Sequence, residues 1–204
     1  MNPTRQLFTS PPIQPARRAD VASASRTLAD AFQDDPVFGW CVPDAIHRAA
    51  VLPRFFELCS EAVLLAGDAQ LAAGGAAVAL WAPPGQAPVP AGQAAEFEAA
   101  VADLLGADME RTGAIMALLD EHHPTREHRF LWFLGVQPEA QRGGLGSALL
   151  ASMLERCDRE GSAAYLDATS EHNRRLYERH GFVVMAERSV DGSPPLWPMW
   201  RDPR

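Results

Sequence analysis

The chain has 204 residues, 47% of them hydrophobic and 22% charged, the balance of an ordinary soluble globular protein with room for one real core. Its formal net charge of −8 argues against a nucleic-acid binder, whose affinity rests on Lys and Arg meeting phosphate. A cationic or amine substrate stays open, although whole-chain charge says little about one pocket.

The first 12 residues are Pro-rich and are expected to be a loose N-terminal segment. Asp20 can cap a helix over 20–32, which Pro36 ends, so 34–43 is expected to be loop. A second helix is expected over 44–66, broken or kinked at Pro53. Short strands at 70–71 and 76–81 flank the Gly74-Gly75 turn, and a Pro/Gly loop fills 83–92. Helices follow near 94–105 and 109–121. Then come a strand at Phe130, a helix reaching about Glu160, a strand from Ala163 and a helix around Asn173. Two strands close the chain near Val183 and Leu196. The helix after Gly144 is the best marked, with Leu145, Leu149, Met153, Leu154 and Cys157 at helical spacing.

Cys41, Cys59 and Cys157 are odd in number and in no C-x-x-C spacing. They read as reduced structural thiols of a cytoplasmic protein. The N-terminus shows no apolar signal-peptide core, and 71–84 is too short to cross a membrane. His122, His123 and His128 cluster in the sequence, but no Cys or second carboxylate pair sits at ligand spacing. A polar loop is expected there, and no metal.

The most informative stretch is 130–150, FLWFLGVQPEAQRGGLGSALL. An apolar strand leads through a glycine-rich loop into an amphipathic helix. A helix start presents N–H groups with no partner inside the helix, and its dipole favours negative charge. Gly143, Gly144 and Gly146 let a ligand approach that bare backbone, which reads as a phosphate site. A Walker A loop fails, because Ser147 stands where Lys is needed. A dinucleotide G-x-G-x-x-G fails at Leu149, although Asp167 lies about where a ribose-binding acid is expected. That rival stays open on the loop alone.

The pattern that fits is Q-x-x-G-x-G, as Gln141-Arg142-Gly143-Gly144-Leu145-Gly146, behind Gly135-Val136-Gln137-Pro138-Glu139. It resembles the acetyl-CoA loop of GNAT-family N-acetyltransferases. A second segment, AAYLDATSEHNRRLYERHGF over 163–182, resembles that family's next strand and helix. A wider likeness to the puromycin N-acetyltransferase branch rests on Ala31-Phe32-Gln33-Asp34-Asp35-Pro36 and on AAVALWAPP over 76–84.

The resemblance implies an α+β fold with a GNAT-like mixed, mostly antiparallel central sheet flanked by helices, in one domain over 1–204. It implies acetyl transfer from acetyl-CoA to a small-molecule primary amine. The N–H groups of Arg142 to Ser147 would hold the CoA phosphates, with Gln141 and the Arg142 side chain beside them. Leu134, Gly135 and Val136 would hold the pantetheine arm, and one N–H there would polarise the thioester carbonyl. Gly135 inside that strand suits a bulge or a close backbone approach. Tyr177 would be the general acid to the leaving thiolate, or else a packed aromatic. Asp167 would accept the amine's proton, or else cap the next helix. Many family members carry an Asn seven residues before the Tyr; here Ser170 stands there, and Asn173 shares the Tyr177 face. Asp34, Asp35 and Trp40 are candidate acceptor contacts. A monomer or homodimer is expected, with no nucleic-acid or membrane partner. The alternatives are a non-catalytic acyl-CoA-binding module of the same fold and a dinucleotide oxidoreductase.

Overall fold

The computed structural model describes residues 12–204 apart from Gly67. All but the last residue of the expected loose N-terminal segment therefore lies outside the described residues. The elements are β1 (Ile13–Pro15), α1 (Val21–Phe32), α2 (Pro36–Cys41), α3 (Ala45–Ala66), β2 (Ala69–Ala72), β3 (Ala77–Ala82), α4 (Ala94–Leu105), α5 (Met109–His122), β4 (His128–Val136), α6 (Leu145–Glu160), β5 (Ala163–Ala168), α7 (Glu171–Arg179), β6 (Val183–Val184) and β7 (Trp197–Arg201).

The strands form one sheet in the order β1-β2-β3-β4-β5-β7-β6. Every neighbouring pair is antiparallel except β4–β5. This is the expected mixed sheet. It is not the doubly wound parallel sheet on which the G-x-G-x-x-G dinucleotide fingerprint sits. β3, AVALWA, is buried at all six positions because helices cover both faces of the sheet. One face carries Leu149, Leu150, Met153 and Leu154 of α6 against Ala77, Ala79, Trp81 and Leu166. The other carries α1 and α3 through Leu28, Phe32, Leu52 and Phe56 against Val78 and Leu80. α2, α4 and α5 enclose a third cluster around Val101, Leu105 and Ile115.

Two expectations change. Residues 34–43 are not all loop, because Pro36 begins α2 as well as following α1. The Asp35 carboxylate accepts from Val37 N (2.9 Å) and Phe38 N (3.2 Å), and Pro36 occupies the first turn, where its missing N–H costs nothing. α3 runs through Pro53 without a break. Burial of Leu52 and Phe56, each almost fully, holds the helix across the lost hydrogen bond. β1 pairs with β2 from Ile13↔Ala72 to Pro15↔Gln70, on a sheet edge where Pro15 is tolerated. Among the described residues no helix is long and apolar enough to cross a membrane.

Candidate active site

The site begins where two strands part. β4 and β5 pair in parallel from His128↔Ala163 to Leu131↔Leu166 and no further. Beyond that point β4 stays with β3, and β5 stays with β7 through Asp167↔Pro198 and Ala168↔Trp197. The register with β3 slips at Leu80/Trp81, where Phe133 and Leu131 are the successive partners and Trp132 is the extra residue. A bulge of this kind bends its strand. Leu134, Gly135 and Val136 pair with Ala79, Val78 and Ala77 on one edge, and no described strand pairs with their other edge. The bulge therefore falls at Trp132, not at Gly135. Gly135 serves a close approach by helix α1: a Cβ there would lie 2.9 Å from Leu28 Cδ2 and 3.0 Å from Ala31 Cβ.

The glycine loop follows at once. A single helical turn at Pro138–Ala140 precedes Gln141, whose Nε2 donates back to the Val136 carbonyl at 3.2 Å. Arg142 and Gly144 take positive φ, 62° and 84°, and α6 starts at Leu145 with no side-chain cap. Arg142 to Gly144 are exposed, and among the described residues the N–H groups from Arg142 to Ser147 have no protein acceptor. A Cβ on Gly144 would meet nothing within 4 Å, whereas one on Gly146 would touch Val136 Cγ2 at 3.5 Å and Leu134 Cδ2 at 3.8 Å. Gly146 thus lets the first turn of α6 lie against the free end of β4. Leu145 packs on the core, and Ser147 Oγ lies 2.5 Å from His180 Nε2. The loop is a bare, uncapped helix start beside the parted strands, suited to an anion.

Tyr177, Asn173, Asp167 and Leu134 line one cleft of about 640 Å³. Burial pushes the Tyr177 phenol up, and the Asp35 carboxylate adds to this, so the hydroxyl keeps its proton. Burial also pushes Asp167 up, to about 6, against the opposing hydrogen bond that Tyr165 Oη donates at 2.8 Å. Asp167 does not cap α7. Ser170 does, accepting from Asn173 N at 3.2 Å.

None of the three expected acceptor contacts lines the cleft. Asp34 is exposed and is not part of the cleft lining. Trp40 is also absent from the lining; Arg111 covers its ring at 5.6 Å. Asp35 is buried behind the wall, capping α2 and accepting from the Thr169 hydroxyl. It ties α2 to the end of β5 instead of facing the cleft. Sequence reasoning missed Tyr165, whose place one alternation before Asp167 on β5 was the available signal. It also set His123 and His128 in a plain loop. Their ring centres lie 4.9 Å apart, tilted, and each meets Tyr165 edge to face at 5.1 and 5.2 Å; both line the cleft. Among the described residues no group of three metal-ligating side chains gathers.

A model of the acetyltransferase (GNAT) family matches residues 80–182, just over half of the chain. An uncharacterised N-acetyltransferase of Schizosaccharomyces pombe is 37% identical over 54 residues. That match spans 26% of this chain and only 22% of the relative's length. A crystal structure described as histone acetyltransferase HPA2 and related acetyltransferase, from Corynebacterium glutamicum, is 28% identical with a TM-score of 0.75. The match covers 96% of this chain and 98% of that one. Arylalkylamine N-acetyltransferase 2 of Aedes aegypti shares the fold at 13% identity and a TM-score of 0.63, covering 96% and 100% of the two chains. The parted strands and the uncapped glycine loop define a GNAT-fold acyltransferase, and this chain belongs to the acetyltransferase (GNAT) family.

Proposed function

We propose that this chain, as one domain, moves an acetyl group from acetyl-CoA to the primary amine of a small molecule by direct attack. The observation that carries this reading is that Tyr177 and Asp167 line one cleft where β4 and β5 part, beside the uncapped start of α6. The residues present fit the co-substrate. N–H groups from Arg142 to Ser147 are free for phosphate, and Gly144 leaves open space above the loop. Acetyl-CoA supplies the acetyl group as a thioester and leaves as a thiol.

The free edge of Leu134 to Val136 holds the arm and offers an N–H to the thioester oxygen as charge builds on it. Tyr177 donates its phenolic proton to the departing sulfur. The attacking nitrogen becomes acidic as its new bond forms, and Asp167 takes that proton, directly or through water. Tyr165 holds one Asp167 oxygen and leaves the other free for this task. The wider likeness to the puromycin branch supports an aminonucleoside as one acceptor worth testing. The three cysteines are free and buried, which favours a cytoplasmic setting.

Calorimetry with acetyl-CoA, followed by thiol release across an amine panel, tests the proposal. Tight binding with turnover is expected. Binding with no thiol release on any amine would leave a non-catalytic acyl-CoA-binding module.

A further inference from the structure

The cleft offers more than a place for chemistry. Its volume of about 640 Å³ falls in the range of small-molecule sites. Six of its walls are the rings of Phe32, Phe38, Phe55, Phe97, Trp132 and Phe133. They come from α1, α2, α3, α4 and β4, and they pack largely edge to face. Phe32 and Phe133 lie 5.6 Å apart at 83°, and Phe38 and Phe55 lie 5.8 Å apart at 69°. Except for Phe32, each ring keeps part of its surface uncovered. Aromatic surface left open inside a cavity is stabilised when an apolar group covers it.

Charge is distributed differently. Asp167 lies on the same cleft as the rings, at the end of β5. Glu98, Asp120 and Glu127 are exposed on the lining and attract a cation to the mouth. Arg126 is occupied, pairing with Asp202 at 2.9 Å and lying over the Trp200 ring at 5.1 Å. A ligand carboxylate would meet Asp167 and, among the described residues, find no unengaged arginine in the lining. A second ammonium pushed among the rings would lose its water for cation–π contact alone.

We infer that the acceptor is a primary amine carried on an aromatic body, with the body among these rings and the nitrogen at Asp167. This rests on the acyl-transfer reading above and deepens it. A plain alkyl chain would use the same walls less well, since the edge-to-face contacts need a second ring.

The test compares kcat/KM for 2-phenylethylamine and tryptamine with propylamine to hexylamine, spermidine, agmatine and glutamate, using acetyl-CoA and thiol release. The alkyl series should rise about fourfold per methylene until the cavity fills. The aromatic amines should exceed hexylamine several-fold and spermidine by about tenfold or more. Phe97→Ala should raise KM for 2-phenylethylamine about tenfold and that for spermidine by clearly less; Phe97→Leu, which disturbs packing less, should do so in smaller measure. Spermidine, agmatine or glutamate outperforming every aromatic amine would overturn the inference while leaving acyl transfer intact, and so would hexylamine matching the aromatics. If no amine is acetylated, acyl transfer falls, and calorimetry with 2-phenylethylamine decides the ligand class. Binding weakened by Phe97→Ala supports it, and no binding overturns it.

Discussion

Tyr165 Oη donates to Asp167 at 2.8 Å from two residues earlier on the same strand, so the pair shares one face of β5. The phenol is fully buried and burial pushes its own proton loss far up, so it keeps the proton that it donates to Asp167. A hydrogen bond to a carboxylate favours the charged form, and here it opposes the burial that raises Asp167.

The first expectation follows from that bond. If Asp167 is the base, log kcat/KM for the amine should rise with slope one up to the amine's own pKa, with a second unit of slope below about 6. Tyr165→Phe removes the donor, so the break should move up by about one pH unit. His123 and His128 share this wall, and burial holds both below the usual histidine value. Asp167→Asn is therefore the decisive comparison. A break that persists in this variant belongs to a histidine.

The same carboxyl should cost stability. Its folded value, about 6, lies above the ordinary 3.8, so the charged form is disfavoured in the folded state. Stability is therefore full below about pH 4 and declines as pH rises toward 6. The full displacement corresponds to roughly 3 kcal/mol, and residual solvent access reduces it to about 1–2 kcal/mol. Asp167→Asn should thus abolish most turnover and still raise Tm at pH 8 by several degrees, with no gain at pH 3.5. Equal Tm changes at both pH values would refute the charge argument.

The glycine loop and α6 were legible because their signals are local: glycines at a helix start, then apolar residues at helical spacing. The pairing of Asp167 with Tyr177 in one cleft also followed, since ten residues separate them on a strand and the next helix. The aromatic wall of the cleft was not legible. Its rings come from α1 to α4 and β4, and nothing in the spacing of Phe32, Phe97 and Trp132 says they meet. Asp35 misled for a related reason. Asp-Pro after a helix reads as a stop, but the same pair is an N-cap followed by a favoured first residue, and only the tertiary contact with Thr169 shows which face it serves. The bulge at Trp132 is a register slip against β3, a property of two strands and not of one.

Gly135 gives a test of packing. A Cβ there would stand 2.9 Å from Leu28 Cδ2 and 3.0 Å from Ala31 Cβ, closer than side chains normally come. Gly135→Ala must push α1 off β4, and about 1–3 kcal/mol of stability should be lost. Denaturant unfolding would show this as a lower midpoint at unchanged m-value. A neutral result would mean that α1 is not held against this strand.

Gly144 gives a test of the loop. At φ 84° an L-residue is strained by about 1 kcal/mol, but a methyl group there meets no atom of the described residues within 4 Å. Gly144→Ala should therefore fold with a small drop in Tm and still bind acetyl-CoA at least ~tenfold more weakly, because the methyl occupies the space above the free N–H groups. Calorimetry at matched folded fraction separates the two effects. Unchanged affinity would place the phosphates elsewhere.

Tyr177 gives the test of the chemistry. It is 7% exposed, packs on Phe182 at a ring separation of 6.0 Å and lines the cleft beside Asn173. Burial and the Asp35 carboxylate both favour the protonated phenol, the form that a proton donor needs. Tyr177→Phe removes only the hydroxyl, which has no hydrogen-bond partner within the protein among the described residues, so stability should barely change. Losing a general acid costs about 10²–10⁴-fold in rate, and a thiol is already a fair leaving group, so the low end is expected. The loss should fall on kcat with little change in KM for acetyl-CoA, because the hydroxyl acts as charge develops on sulfur. Supplying a thioester whose thiol is more acidic should narrow the gap between the variant and the parent, since such a sulfur needs no donor. If Tyr177→Phe keeps near-full kcat on a good acceptor while chemistry limits the rate, the phenol is packing alone and the proton reaches sulfur from another group.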